Sequence, residues 1–125
     1  MSIVTSRILI PIGFSDQSMI ALGQAFNLAK IKKSEIILLS VIENQNRIES
    51  LFLDDKTHEL QQKVNDKLVE VGKKYAAEYD IHVETMVAKG RVYEKIIEVA
   101  EMVNADLIVM GTNGTPKGVM KKVIG

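Results

Sequence analysis

The residues best suited to chemistry lie in one stretch near the end of the sequence, Gly111-Thr112-Asn113-Gly114-Thr115-Pro116-Lys117-Gly118. Glycine tolerates positive φ and leaves its backbone amide open to close approach. Gly111 and Gly114, three residues apart, can therefore aim N–H groups at a common point. A helix starting just after them would add its positive N-terminal dipole, and the combination favours phosphate. Thr112, Asn113 and Thr115 supply side-chain donors, and Lys117, Lys121 and Lys122 supply local positive charge. Pro116 has no amide proton and removes one donor. The stretch is neither G-x-x-x-x-G-K-[ST] nor G-x-G-x-x-G. A plain turn out of a strand would use the same glycines, and the pattern alone does not separate the two readings.

Other residue types that carry catalysis are scattered. His58 sits in a polar, acidic stretch and reads as a solvated surface histidine. His82 begins an exposed segment with no His, Asp or Glu at metal-ligand spacing around it. Ser15 and Ser18 lack a histidine partner, so helix capping is the better reading than nucleophilic catalysis. Asp54-Asp55 fits the preference of acids for a helix N-terminus. Met19, Met86, Met102 and Met120 read as core filling, and only Met110, beside the glycine stretch, is a candidate for ligand contact.

The elements that must position these residues follow from periodicity. Ile8-Leu9-Ile10-Pro11-Ile12 is a continuous apolar run, as expected of a strand covered on both faces. Gly13-Phe14-Ser15-Asp16 breaks it. Met19, Leu22, Ala25, Phe26 and Ala29 then fall at helical spacing between Ser18 and Lys30. Ile36 to Ile42 is a second buried strand, and residues 43–57 read as a long loop with some helix. Leu60, Val64, Leu68, Val71 and Tyr75 form the stripe of an amphipathic helix ending near Tyr79-Asp80. Ile81 to Ala88 alternates partly and predicts a third, more exposed strand closed by Lys89-Gly90. Val92, Ile96, Val99, Ala100 and Val103 mark a third helix, Asn104-Ala105-Asp106 a turn, and Leu107 to Met110 a fourth strand. Val119 to Ile124 reads as the start of a helix.

This alternation predicts an α/β domain, a three-layer α/β/α sandwich with a parallel sheet of four recognisable strands. Ligands of such sheets sit outside the carboxyl ends of the strands, where the strand order switches. Three segments fall there: Pro11 to Ser15, Val41 to Glu43, and Gly111 to Gly118.

Composition narrows the function. The 125 residues carry sixteen Lys and Arg against sixteen Asp and Glu, and this zero net charge excludes a polybasic binder of nucleic acid or membrane. The absence of Trp, with only three Tyr and three Phe, argues against a stacking platform for single strands. With no Cys there is no disulfide scaffold, no apolar run is long enough to span a bilayer, and the first residues do not follow the order of a signal peptide. A cytoplasmic domain is expected.

The run Ala105-Asp106-Leu107-Ile108-Val109-Met110-Gly111-Thr112-Asn113-Gly114 resembles the fourth-strand signature of the universal stress protein family. Ile8-Leu9-Ile10-Pro11 with Phe14-Ser15 resembles that family's first strand and turn. Leu39-Ser40-Val41-Ile42-Glu43 resembles its second strand, and Gly90 with Ile96-Ile97 its third-strand exit and helix. The resemblance covers nearly the whole chain in order. It implies an adenine-nucleotide (ATP or AMP) binding or signalling domain, usually a homodimer, with no strong enzymatic activity. No general base stands near the glycines, so slow ATP hydrolysis is the most that would be expected. By resemblance, Pro11, Ile12 and Gly13 form the loop beside the nucleoside and Val41 touches adenine. Met110 and Gly111 lie at the ribose, and Asn113, Gly114 and Gly125 belong to the phosphate loop. A divalent metal would accompany the nucleotide.

The sequence departs from the family pattern in three respects. Gly13 stands where nucleotide-binding members carry an aspartate. Ten residues, not nine, separate Gly114 from Gly125, and no Ser or Thr follows Gly125. Loss of that carboxylate removes a hydrogen-bond acceptor of roughly 1–3 kcal/mol. A second function class therefore stands beside the first: a family member that does not bind ATP and acts through protein–protein contacts. A phosphorylated receiver domain is set aside, because Gly13 and Lys89-Gly90 occupy the positions its acids need. The family continues with a further helix and a fifth strand that in many members pairs across the dimer. Residues 1–125 are accordingly expected to form one domain with that strand missing and one sheet edge unpaired, as a piece of a longer chain or half of a tandem pair.

Overall fold

The computed structural model describes residues 6–13, 16–43, 54–110 and 119–121. The elements are β1 (Ser6–Pro11), α1 (Asp16–Lys32), β2 (Ser34–Ile42), α2 (Asp54–Tyr79), β3 (Val83–Lys89), α3 (Val92–Met102), β4 (Leu107–Val109) and β5 (Val119–Lys121). The strands form one sheet in the order β3-β2-β1-β4-β5. β1 to β4 run parallel, with Ile8 opposite both Ile36 and Leu107, and Leu38 opposite Thr85.

Side chains of a strand alternate between faces, and the two cores obey that alternation. Ile8, Ile10, Ile12, Ile36, Leu38 and Val109 pack with Leu22, Ala25, Phe26 and Ala29 of α1 and Leu68 of α2. Leu9, Ile37, Leu39, Ile108 and Met110 pack on the opposite face with Ile96, Val99 and Ala100 of α3. Ile8 to Ile10 of β1 and Ile36 to Leu39 of β2 are therefore apolar at every position, because each face has its own helix layer. Full burial of one such side chain is worth about 1.5–3 kcal/mol. The expected three-layer α/β/α arrangement is present, and its layering has a topological cause. The chain steps outward from β1 to β2 to β3 with α1 and α2 on one face. It then returns across the sheet to β4, and with crossover handedness fixed, reversing direction puts α3 on the other face.

α1 and α2 meet through aromatic rings. Phe26 stacks on Tyr75 with centroids 4.9 Å apart and lies 5.3 Å from Tyr79. α2 also presses closely on β3, since a Cβ at Gly72 would stand 3.1 Å from Thr85 Cγ2 and 3.4 Å from Val83 Cγ1. β3 is the more exposed strand that its partial alternation predicts. Leu60, part of the predicted stripe, is exposed near the start of α2, and Met102 is exposed at the end of α3 rather than filling the core.

The three helices end alike. Lys33, Asp80 and Asn104, just past the ends of α1, α2 and α3, adopt φ of 55°, 54° and 55°. After α2 and α3 the next amide reaches back five residues, Ile81 N–H to the Ala76 carbonyl (3.3 Å) and Ala105 N–H to the Ala100 carbonyl (2.9 Å). These bonds satisfy carbonyls that a helix end leaves open. At the amino end of the sheet, Arg7 ties elements together. Its Nε donates to Glu35, its guanidinium donates to the Val103 carbonyl (2.9 Å), and its backbone amide donates to Asp106 Oδ2 (2.9 Å).

One expectation is corrected. Val119–Lys121 is a strand, not the start of a helix, and it pairs antiparallel with β4, Ile108 lying opposite Met120. The sheet edge expected to stay unpaired is covered. The backbone groups on the open side of β4 need partners, and the chain's own return supplies them. The family's fifth strand, in the sense of the resemblance, is a different segment; this fifth strand is made from residues read as the start of a helix, between Gly114 and Gly125.

Candidate functional site

The strand order reverses direction at β1, between β2 on one side and β4 on the other, and in sheets of this kind ligands bind outside the carboxyl ends of the strands at such a switch. The β1–α1 loop there is braced from two sides. The Ile12 amide donates to the Leu39 carbonyl (2.8 Å), and the buried Ser40 hydroxyl donates to the Ile12 carbonyl (2.9 Å). The Gly13 amide donates to Ser18 Oγ (3.3 Å), in the first turn of α1. Each such bond contributes about 0.5–1.5 kcal/mol, and together they fix the path of the chain as it leaves the strand.

Pro11, the last residue of β1, pairs with Leu39, and Gly13 follows just beyond the strand end. Alternation puts Pro11 on the face of Leu9, Val41 on the face of Leu39, and Met110 on the face of Ile108. Val41 and Met110 both join the core on the α3 side. Pro11, Val41 and Met110 thus share one face at one edge of the sheet, with Gly13 in the loop just beyond β1. Ile12 points the other way and is buried against α1, so only its backbone belongs to the crevice. Gly13 is exposed, and among the described residues a Cβ added there would meet only Ser18 Oγ, at 3.8 Å. Gly111, Asn113, Gly114 and Gly125 lie outside the described residues.

Charge beside this edge comes from residues on β3 and α3. Lys89 ends β3, opposite Ile42, and Gly90 (φ 143°) turns the chain into α3 with its amide on the Ile42 carbonyl (3.0 Å). Arg91 and Lys95 follow, each in an i,i+3 pair, with Glu94 (3.6 Å) and Glu98 (3.1 Å). These pairs are exposed and worth a few tenths of a kcal/mol. His58 is exposed, and His82 is exposed beside Glu84 at 3.5 Å, in keeping with their reading as surface residues. Among the described residues no group of three His, Asp or Glu side chains converges as for a metal. No helix among them is long and apolar enough to cross a membrane. Sequence reasoning missed the part played by Ser40. Its signal was available, a lone hydroxyl inside an otherwise apolar strand.

Comparison with known proteins places this geometry. The model of the universal stress protein family matches residues 5–125. Universal stress protein Sll1654 of Synechocystis sp. is 33% identical over 125 residues, covering 97% of this chain and 77% of its own length. Universal stress protein MJ0577 of Methanocaldococcus jannaschii is 28% identical over 130 residues, covering 91% and 80%. The solved structure of MJ0577 superposes with a TM-score of 0.77 at 27% identity, over 90% of this chain and 78% of that one. Two more distant structures share the fold. One is a universal stress protein in complex with cAMP (TM-score 0.63, 20% identity, 92% and 79% covered). The other is an Arabidopsis thaliana family protein with AMP bound (TM-score 0.55, 15% identity, 90% and 80% covered). With a family match over nearly every residue and a parallel sheet of the same build, this chain belongs to the universal stress protein family.

Proposed function

We propose that this family member is an adenine-nucleotide binding domain, taking ATP or AMP at the carboxyl edge of β1 and β4, and that it serves stress response or signalling in the cytoplasm without strong enzymatic activity. The observation that carries the reading is the placement of Pro11, Val41 and Met110 on one face at the switch of strand order, beside the loop of Ile12 and Gly13 braced by Ser40 and Ser18. In this reading Val41 and Met110 present an apolar wall to the base and ribose. Gly111, Asn113, Gly114 and Gly125 supply the phosphate contacts, and any divalent metal arrives with the phosphates. The AMP and cAMP complexes of two proteins of the same fold support the choice of ligand class.

The test is a thermal shift on the full chain. A ligand that binds only the native state at ten times its Kd stabilises it by about 1.4 kcal/mol, a rise in Tm of roughly 3–6 °C for a domain of this size. ATP or AMP at millimolar concentration should produce that rise, and Gly114→Val should abolish it. No shift with any adenine nucleotide would sink the proposal.

One observation favours the second reading, a member that acts through protein contacts. Gly13 presents no carboxylate to a nucleoside, and its amide is already committed to Ser18. Absence of any thermal shift, with retention of the fold, would turn the assignment that way.

A further inference from the structure

We infer that Ser40 is a positioning residue at the carboxyl end of β1: its hydroxyl stops the β1–β2 ladder early and leaves the Val41 amide open to a ligand. The inference rests on the nucleotide reading of the same crevice and concerns how this chain keeps that place free. Backbone groups along β2 alternate between its two neighbours. Ile36 and Ile42 bond toward β3, through the His82 carbonyl (3.0 Å) and the Gly90 amide (3.0 Å). Leu39 bonds toward β1, its carbonyl accepting from the Ile12 amide (2.8 Å). Val41, two residues on, therefore aims its amide at the β1 side, past the end of that strand.

β1 and β2 pair in register as far as Pro11 and Leu39, and there the pairing stops. The next rung, Ile12 against Ser40, needs the Val41 amide to donate to the Ile12 carbonyl. That carbonyl instead accepts from Ser40 Oγ (2.9 Å). A side chain stands off the sheet, so a carbonyl that meets one is tilted out of the line of the ladder bonds. The other half of the same peptide is held in the same way, the Gly13 amide donating to Ser18 Oγ (3.3 Å). Both serines are buried, Ser40 at 4% and Ser18 at 7% exposure. Two side-chain hydroxyls, not backbone partners, thus set the Ile12–Gly13 peptide. Strand formation does not ask for serine at position 40. It is the only polar residue from Ile36 to Ile42, and a β-branched residue suits a buried strand better. An apolar side chain there would free the Ile12 carbonyl for Val41, and the ladder would close over the amide. Left open, a strand amide suits a flat ligand edge that presents an acceptor, such as a ring nitrogen of adenine.

Amide hydrogen exchange read by NMR, with calorimetric titration of ATP and AMP, tests it on the full chain. In Ser40→Ala the freed Ile12 carbonyl should take the Val41 amide, whose exchange should slow about tenfold or more. Nucleotide affinity should fall about tenfold, because the site must first break a hydrogen bond to open. The urea midpoint should hardly move, since the new rung replaces the lost bond. Ser40→Thr keeps the hydroxyl and should restore both exchange and affinity; if its methyl lowers the urea midpoint, the alanine variant decides alone. A serine with a merely structural role predicts the reverse for Ser40→Ala, a lower urea midpoint and faster exchange at Val41. That result would overturn the inference. So would a Ser40→Ala variant that binds nucleotide as tightly as the natural chain. A natural chain that takes no adenine nucleotide overturns the proposed function instead, and exchange at Val41 still decides whether Ser40 stops the ladder.

Discussion

In the proposed function, Gly13 is the residue on which nucleotide affinity would turn. Its φ is not in the left-handed region, and among the described residues a Cβ there would meet only Ser18 Oγ, at 3.8 Å. Nothing in the backbone therefore requires glycine, and Gly13→Asp can be built without displacing the loop. The aspartate would stand just beyond the carboxyl end of β1, where in the proposed function it would be an acceptor for the nucleoside hydroxyls. Calorimetric titration with ATP or AMP should find the variant bound about tenfold more tightly, the effect of one charge-assisted hydrogen bond. Equal affinities would mean that the nucleoside does not reach this loop. The relation of Gly13 to the first strand could be read directly from the sequence. That Ser18 and Ser40 clamp its neighbours could not, since those contacts join positions five and twenty-eight residues apart.

At the scale of elements, the helix ends hold recoverable stability. Lys33 is exposed and sits at φ 55°, a conformation that costs an L-residue roughly 1–2 kcal/mol and glycine almost nothing. Part of that gain is lost because glycine is freer in the unfolded chain. Lys33→Gly should still raise stability by about 0.5–1 kcal/mol, read as a higher midpoint in urea with an unchanged slope. A lower midpoint would show that the Lys33 side chain makes a contact worth more than the strain. The helix and strand identities themselves were legible, because apolar periods of 3.6 and continuous apolar runs leave little ambiguity over ten or more residues. The ends of α1, α2 and α3 were placed within a few residues. Val119 to Ile124 misled because a six-residue window with Val, Met and two Lys satisfies either period, and pairing with β4 settles it.

For the molecule as a whole, the sheet should show a gradient of stability from centre to edge. β1 and β2 are buried on both faces and hydrogen-bonded on both sides, whereas β3 is half-exposed and β5 pairs through three residues at the far edge. Hydrogen exchange should therefore find the slowest amides in Ile8 to Ile10 and Ile36 to Leu39, and those of β5 exchanging first among the strands. Comparable protection in β5 would show that it is part of the cooperative core. Layer composition, the four parallel strands and the family were already encoded locally, in apolar runs, helical stripes and one glycine-bearing signature, because each depends on neighbours along the chain. The strand order, the choice of face for α3, the shared face of Pro11, Val41 and Met110, and the covering of β4 by β5 depend on contacts between distant segments. No local pattern specifies such contacts, so they emerged only when the chain was folded on itself.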